Sequence, residues 1–313
     1  EHPEAHGASG DIRDAALVAE TLGIPHSVLD LRAEFQNRVI SNFVQEYARG
    51  RTPNPCAVCN RFIKFGAMLE YALSHGFDYI ATGHYANITR QETEKGPGRW
   101  LLKSVPSQKD QSYMLYSLSQ KQLSHTLLPL AGYTKEEIRS IAESAGLPVA
   151  KKPDSQEICF IPDHDYAAFI EEYTGKCPPP GNFVDQQGKV LGQHRGITHY
   201  TVGQRKGLNL SMGRPVFVSA IHPDTNEVVI GDSQDVFTDT LTCSKLNWQS
   251  VARIGDHSME VMAKIRYSHK GSPCTITQIG EDQVKCEFHE PVRAVTPGQA
   301  VVFYDGEYVV GGG

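Results

Sequence analysis

The sequence predicts an α/β first half followed by an all-β second half. Three observations carry this. Helical and strand-like apolar periods alternate up to about residue 145; Cys177-Pro178-Pro179-Pro180-Gly181 then breaks the chain; short strand-like runs separated by turn residues follow it. Alternating strands and helices imply a parallel sheet, and binding sites in such sheets lie beyond the carboxyl ends of the strands.

Taken in order, Ala15, Leu17, Val18 and Leu22 fit a helix ended by Gly23, and the run from His26 to Leu31 reads as a short strand. A second helix is expected from Ala33 to Ala48. Gly50 to Val58 reads as a loop, because Pro53 and Pro55 remove backbone donors and restrict their neighbours. Asn60 is expected to cap a helix carrying Phe62, Phe65, Leu69 and Ala72 on one side. Asp78 to Thr82 reads as a buried strand with Gly83-His84 as the turn beyond it. Further helices are expected near Ser112–Leu118, Lys135–Ala145 and Tyr166–Tyr173. The second half offers strands at Val216–Ile221, Glu227–Ile230, Glu260–Tyr267, Thr275–Ile279, Gln283–Phe288 and Ala300–Tyr304. Turns at Asp224-Thr225-Asn226, Gly255-Asp256 and Gly306 separate several of them, as in a small barrel or sandwich.

Composition narrows the function classes. With 313 residues, 40% hydrophobic and 21% charged, the chain is long enough for two or three domains with sizeable cores. No window approaches the ~18 consecutive apolar residues of a membrane span. Seven cysteines are too sparse, and odd in number, for an extracellular disulfide scaffold, which points to a reducing cytoplasm. A net charge of −6 argues against indiscriminate polyanion binding but leaves room for a local basic stripe.

Cys56 and Cys59 form a C-x-x-C on the Pro-rich loop, just ahead of the expected helix. The helix dipole and its unpaired N–H groups would favour a thiolate there. Read alone, the pair fits a thiol oxidoreductase, or two structural cysteines within an RNA-binding module, as readily as a nucleophile. No second C-x-x-C or C-x-x-H completes a four-ligand metal site, so none is expected. Cys159, after Lys151-Lys152, has no motif of its own; Cys177, Cys243, Cys274 and Cys286 read as structural. Lys109-Asp110-Gln111-Ser112 and Gly203-Gln204-Arg205-Lys206-Gly207 are polar clusters, and Arg266-Tyr267 pairs a cation with an aromatic, as nucleic-acid surfaces do.

Taken together, several stretches resemble the tRNA-specific 2-thiouridylases, which thiolate a wobble uridine. They are Gly50 to Pro55 with Cys59-Asn60 and Ile63-Lys64-Phe65; Tyr79 to Tyr85; Lys109 to Tyr113; Asp154-Ser155 with Ile158 to Ile161; His199 to Gly207; and Pro291 to Gln299 with Val302-Phe303-Tyr304. The resemblance implies a parallel-sheet ATP-pyrophosphatase-type α/β domain (residues 1–162), a central tRNA-contacting domain (163–233) and a C-terminal β-barrel (234–313). It implies ATP with Mg2+, a tRNA bearing a wobble uridine, and a persulfide sulfur-donor protein. Carried over by motif, Cys59 is the family's nucleophile and Cys159 its persulfide carrier, 100 residues apart. Gly83 resembles the nucleotide-contacting glycine and His84 its tRNA-facing neighbour. Asn54, Pro55 and Cys56 resemble the loop that meets the target base. Lys109, Asp110, Gln111, Arg266, Tyr267 and Gln299 resemble tRNA-contacting positions. Cys56 stands where some members have Asp, a candidate acid/base. The family's S-G-G-x-D-S phosphate loop does not occur in the sequence, which begins at Glu1 without Met. The expectation is that about one βα unit precedes it, and that residues 1–313 alone do not adenylate tRNA.

Overall fold

A computed structural model describes residues 8–93, 96–107, 109–152, 158–163, 165–255 and 257–313. Helix α1 (Ala8–Leu22) stops at Gly23, whose φ of +67° lies in the left-handed region that glycine enters freely. The strand expected at His26–Leu31 is not formed. Residues 24–30 are irregular, with Ile24 55% and Val28 61% exposed. A strand needs a neighbour for its ladder bonds, and among the described residues this run has none.

Helix α2 is continuous through Arg32–Phe35, Gln36–Ile40 and Ser41–Ala48, the middle segment being π-helical. Helix α3 starts earlier than the sequence suggested. Asn54, not Asn60, is its N-cap: its Oδ1 accepts from the Ala57 N–H at 3.2 Å, and Pro55 takes the first helical position, where a missing donor costs nothing. The helix then runs through Pro55–Cys59, a π-helical Asn60–Ala67 and Met68–Ser74. Asn60 lies buried inside it and donates to the Met114 carbonyl at 3.1 Å. Phe65 and Leu69 enter the core as expected, but Phe62 is 38% exposed. The i→i+5 bonds of the π segment widen the turn, so residues three apart no longer share a face.

Strand β1 (Ile80–Ala81) leads to Gly83-His84 and then to an antiparallel hairpin, β2 (Asn87–Thr93) and β3 (Gly96–Lys103), which the sequence did not signal. Beyond it, Ser112–Leu115 is a single 3₁₀ turn instead of the expected helix. The side-chain amides of Asn247 and Gln249 take the carbonyls of Tyr116 (both at 2.7 Å) and Leu118, so this stretch needs no helical bonds while burying Tyr113, Leu115 and Leu118. Helix α4 (Gln120–Ser124) precedes β4 (Thr126–Leu127), which pairs with β1 in parallel, Ile80 opposite Thr126. The predicted parallel sheet is these two short strands. Helix α5 (Lys135–Ser144) opens with a reciprocal capping box between Thr134 and Glu137, and α6 (Tyr166–Thr174) closes on left-handed Gly175.

The second half is β-rich as expected. A four-stranded sheet, β5 (Gly181–Val184), β6 (Val190–His194), β7 (Phe217–His222) and β8 (Glu227–Gly231), runs in the order β6-β5-β8-β7 over Phe183, Val218 and Val228. The last seven strands are β9 (Phe237–Ser244), β10 (Asn247–Trp248), β11 (Met259–Lys264), β12 (Ser272–Gly280), β13 (Gln283–Arg293), β14 (Val302–Asp305) and β15 (Tyr308–Gly312). The main order is β2-β3-β15-β14-β11-β12-β13-β9, with β10 also on β15, so the hairpin from the first half belongs to the C-terminal sheet. Strand β11 ends at Lys264, which leaves Arg266 and Tyr267 in the following turn. Cys243, Cys274 and Cys286 are buried with Ile276 and Phe303, in keeping with a structural role. One core joins residues 65–128 to the C-terminal strands: Phe65, Leu69, Ile80 and Tyr113 pack with Ala300, Val302, Tyr304 and Val309, and the Tyr113 hydroxyl donates to the Ala300 carbonyl at 2.8 Å. No helix among the described residues is long and apolar enough to cross a membrane.

Candidate active site

The N-cap at Asn54 launches α3 so that Cys56 and Cys59 fall three residues apart, on one side of its first turns. Cys159 arrives from far along the chain. Its neighbour Phe160 packs edge-to-face on Phe43 (5.4 Å, 87°) and Phe35 (5.6 Å, 79°), and Ile161 is 1% exposed, which pins this stretch against α2. Asp154 and Ser155 of the same motif lie outside the described residues. Cys56, Cys59 and Cys159 are free thiols, and a charge on Cys159 is felt at both of the others. The fold therefore brings the three within electrostatic reach of one another.

The electrostatics reverse one expectation. Burial pushes Cys59 up to about 11, and repulsion from Cys159 and Cys56 adds to this while Lys64 opposes it. Cys56 is raised by burial and then by Cys159, again against Lys64. Cys159 is raised by burial, against its own N–H, Lys64 and the Phe160 N–H. Cys56 and Cys159 reach solvent, yet protein packed around their sulfurs still desolvates the thiolate. All three shifts run upward, so all three rest as thiols. Alkylation of Cys59 by iodoacetamide, followed by peptide mass spectrometry, is expected to accelerate about tenfold per pH unit from pH 7 to 10. A plateau below pH 9 would contradict that ordering.

Lys64 acts on all three thiols and on His84, and sequence reasoning gave it no role. Its signal was its position five residues after Cys59, about one π turn along the same helix. Gly83 lies exposed just past β1, where a Cβ would come no nearer than 3.6 Å to Leu130. His84 is 8% exposed, 2.8 Å from the Thr82 hydroxyl through Nδ1 and 5.7 Å from the Phe65 ring. Burial, then Lys64, lowers its pKa from 6.5 to about 4. The unfolded chain takes up a proton below pH 6.5 that the folded one refuses, so this stabilisation is full above 6.5 and is lost as pH falls to 4. In urea unfolding, His84→Gln is expected to remove up to ~3 kcal/mol of the wild type's stability loss between pH 7 and 4. Equal losses in both proteins would refute it.

The remaining predicted residues form an adjoining neighbourhood. Gln299 donates to the carbonyls of Thr52 (2.9 Å) and Pro53 (3.3 Å), and the Thr52 N–H donates to Pro297. Gly298, at φ +93°, makes that contact possible, because a Cβ would sit 2.9 Å from Thr52 N. The C-terminal sheet thus holds the loop in front of Asn54 and Pro55. Asn54 also donates to Met114 Sδ at 3.4 Å. Asp110 accepts from Val105 N and the Ser112 hydroxyl, and Gln111 Oε1 accepts from Tyr85 N at 3.0 Å. Both side chains are committed to holding this turn. Lys109 is exposed beside them. Lys264 Nζ lies 3.8 Å from Asp110 and the Tyr267 ring 6.2 Å from Tyr113, so Lys109–Gln111 and Arg266–Tyr267 share one surface. Arg266 donates to the Arg293 carbonyl at 3.1 Å. Among the described residues no group of three or more His, Cys, Asp or Glu is placed to hold a metal ion.

Comparison with known proteins matches each part of the chain. Residues 2–163 match the tRNA methyl transferase HUP domain, 167–232 the tRNA methyl transferase PRC-barrel domain, and 238–313 the aminomethyltransferase beta-barrel domain. Fold and site together define a thiol-bearing enzyme of the HUP α/β class with two β modules. Among its relatives, the tRNA-specific 2-thiouridylase MnmA of Lachnoclostridium phytofermentans is 56% identical over 96% of this chain and 84% of its own length. The proteins of that name from Acetivibrio thermocellus and Carboxydothermus hydrogenoformans are 53% and 51% identical, over 96% of this chain and 83% and 82% of theirs. The chain belongs to the tRNA-specific 2-thiouridylase family.

Proposed function

We propose that the protein transfers persulfide sulfur to C2 of the wobble uridine in tRNA, at the expense of ATP. The observation that supports this is that Cys159, 100 residues further along the chain, lies within electrostatic reach of Cys59. ATP would supply activation: adenylation of the C2 oxygen releases pyrophosphate, and that oxygen then leaves as part of AMP. The Mg2+ expected with ATP would have to be carried by the nucleotide, because no His, Cys, Asp or Glu cluster among the described residues is placed to hold it. Gly83 fits a nucleotide, since its exposed backbone carries no side chain to obstruct one.

Cys159 receives a sulfur atom from a persulfide-bearing donor protein, becoming Cys159–S–SH. The outer sulfur bonds to C2 as AMP departs, leaving Cys159–S–S–C2 and a released proton. The Cys59 thiolate then attacks the Cys159 sulfur, forming the Cys59–Cys159 disulfide and freeing the 2-thiouridine. A thiol reductant must return two electrons before the next cycle, which suits a reducing cytoplasm. Lys64 favours each thiolate in this sequence. Cys56 rests protonated and cannot act as the ionised carboxylate that some relatives carry at its position. Asn54, Pro55 and Cys56 are assigned to the target base, with His84 facing the tRNA. Lys109–Gln111, Arg266, Tyr267 and Gln299 are assigned to tRNA contacts, Gln299 and Asp110 acting by holding loops. The test is transfer of labelled persulfide sulfur to tRNA by the complete protein. One AMP per thiolated uridine is expected, and sulfur transfer without ATP would overturn the scheme.

A further inference from the structure

A second surface lies behind the thiols. A cleft of about 700 Å³ separates α2 and α3 from the C-terminal sheet, and Ala57, Val58 and Arg61 line it while Cys56 and Cys59 do not. Ala57, Val58 and Arg61 therefore face this cleft, and the two cysteines face away from it.

The cleft is strongly basic although the chain carries a net −6. Its lining includes Arg38, Arg51, Arg61 and Lys245 against the carboxylate of Glu46. Glu46 is occupied by Arg51 at 2.6 Å and Arg49 at 3.5 Å. Nearby Asp282 accepts from the backbone N–H groups of Lys245 and Leu246. Arg38, Arg61 and Lys245 remain, and none has a carboxylate partner among the described residues. Two of these cations are already positioned: the Arg38 and Arg61 guanidinium carbons sit 5.5 and 5.1 Å from the centroid of the half-exposed Phe62 ring. A part-exposed aromatic ring with two guanidiniums beside it, neither holding a carboxylate, matches single-stranded nucleic acid, with forked donors for phosphodiesters and a ring for one unstacked base. The same cleft is lined by Asn54 and Gln299, so it opens onto the loop in front of the thiols.

We infer that this cleft binds the RNA strand flanking the target nucleotide, with phosphodiesters at Arg38, Arg61 and Lys245 and one base against Phe62. The inference rests on the proposed tRNA substrate. It predicts how strongly tRNA affinity depends on salt. In the complete protein, R38Q/R61Q/K245Q is expected to weaken tRNA binding and make the slope of log K against log salt shallower by ~2, at ~0.7 per lost single-strand phosphate contact. Phe62→Ala is expected to cost about tenfold in affinity with the slope unchanged. R38K/R61K should keep the slope while losing affinity, because ammonium groups retain charge but not the fork. Cys59 alkylation and the melting temperature establish that each variant is folded. An unchanged slope in the folded triple variant overturns the inference, even if sulfur delivery from a donor protein falls. If the wild-type protein fails to bind tRNA, the thiouridylase reading fails instead.

Discussion

Replacing either Cys59 or Cys159 by serine is expected to abolish tRNA thiolation, by 10³-fold or more on the order of other covalent nucleophile losses, while tRNA affinity changes less than about twofold. The asymmetry follows from the site. Both side chains are free thiols, one of them solvent-exposed, so the nearly isosteric change removes no disulfide and opens no large cavity. A serine hydroxyl can neither hold a transferable sulfur atom nor close a disulfide. The two variants should stall at different points. Cys159→Ser accepts no labelled sulfur from the donor, whereas Cys59→Ser accumulates label on Cys159 or in a Cys159–S–S–tRNA adduct. Thiolation by Cys159→Ser with the natural donor would remove Cys159 from the carrier role.

Phe65→Ala is expected to destabilise the fold by about 3–5 kcal/mol in urea unfolding. The ring is fully buried in the core that joins α3 to β14 and β15, and it shelters His84 from 5.7 Å away. Truncation leaves a cavity that the neighbouring strands cannot collapse into, and it admits solvent to the imidazole. The His84 pKa, followed by NMR, should therefore climb from about 4 toward 6.5. Phe62→Ala, three residues away and half-exposed, should cost less than about 1 kcal/mol. Equal losses at the two positions would mean that the π-helical register of α3 is wrong.

Where local chemistry decides, the sequence was readable. The helix expected at Lys135–Ala145 is α5, which Thr134 and Glu137 cap locally, and Gly23 ends α1 as expected. The strands β7, β8 and β11 to β14 overlap their expected spans. Local reasoning failed where a distant partner decides. Residues 112–118 look helical until Asn247 and Gln249, more than 125 positions on, take their carbonyls. The hairpin β2–β3 is too polar to read as core and gains its place from β15. Pro55 reads as a loop marker in the sequence, but proline also opens helices, and here it starts the helix that carries Cys56 and Cys59. At the site, the family motif located both sulfurs, but only packing revealed that burial raises both thiols. Arg38 and Arg61 carry no motif, and only the fold brings them to the same ring.

The core shared by Phe65, Tyr113, Val302 and Val309 bears on how the molecule moves. Residues 65–128 and the C-terminal strands are joined through one apolar interior and one hydrogen-bonded sheet, so they cannot open like the halves of a hinge. Heat or denaturant should melt them in a single step, and a protease should find few cuts that release one from the other. If the proposed RNA substrate enters between them, it meets a gap of nearly fixed width, and its selection would rest on how readily the nucleic acid itself deforms.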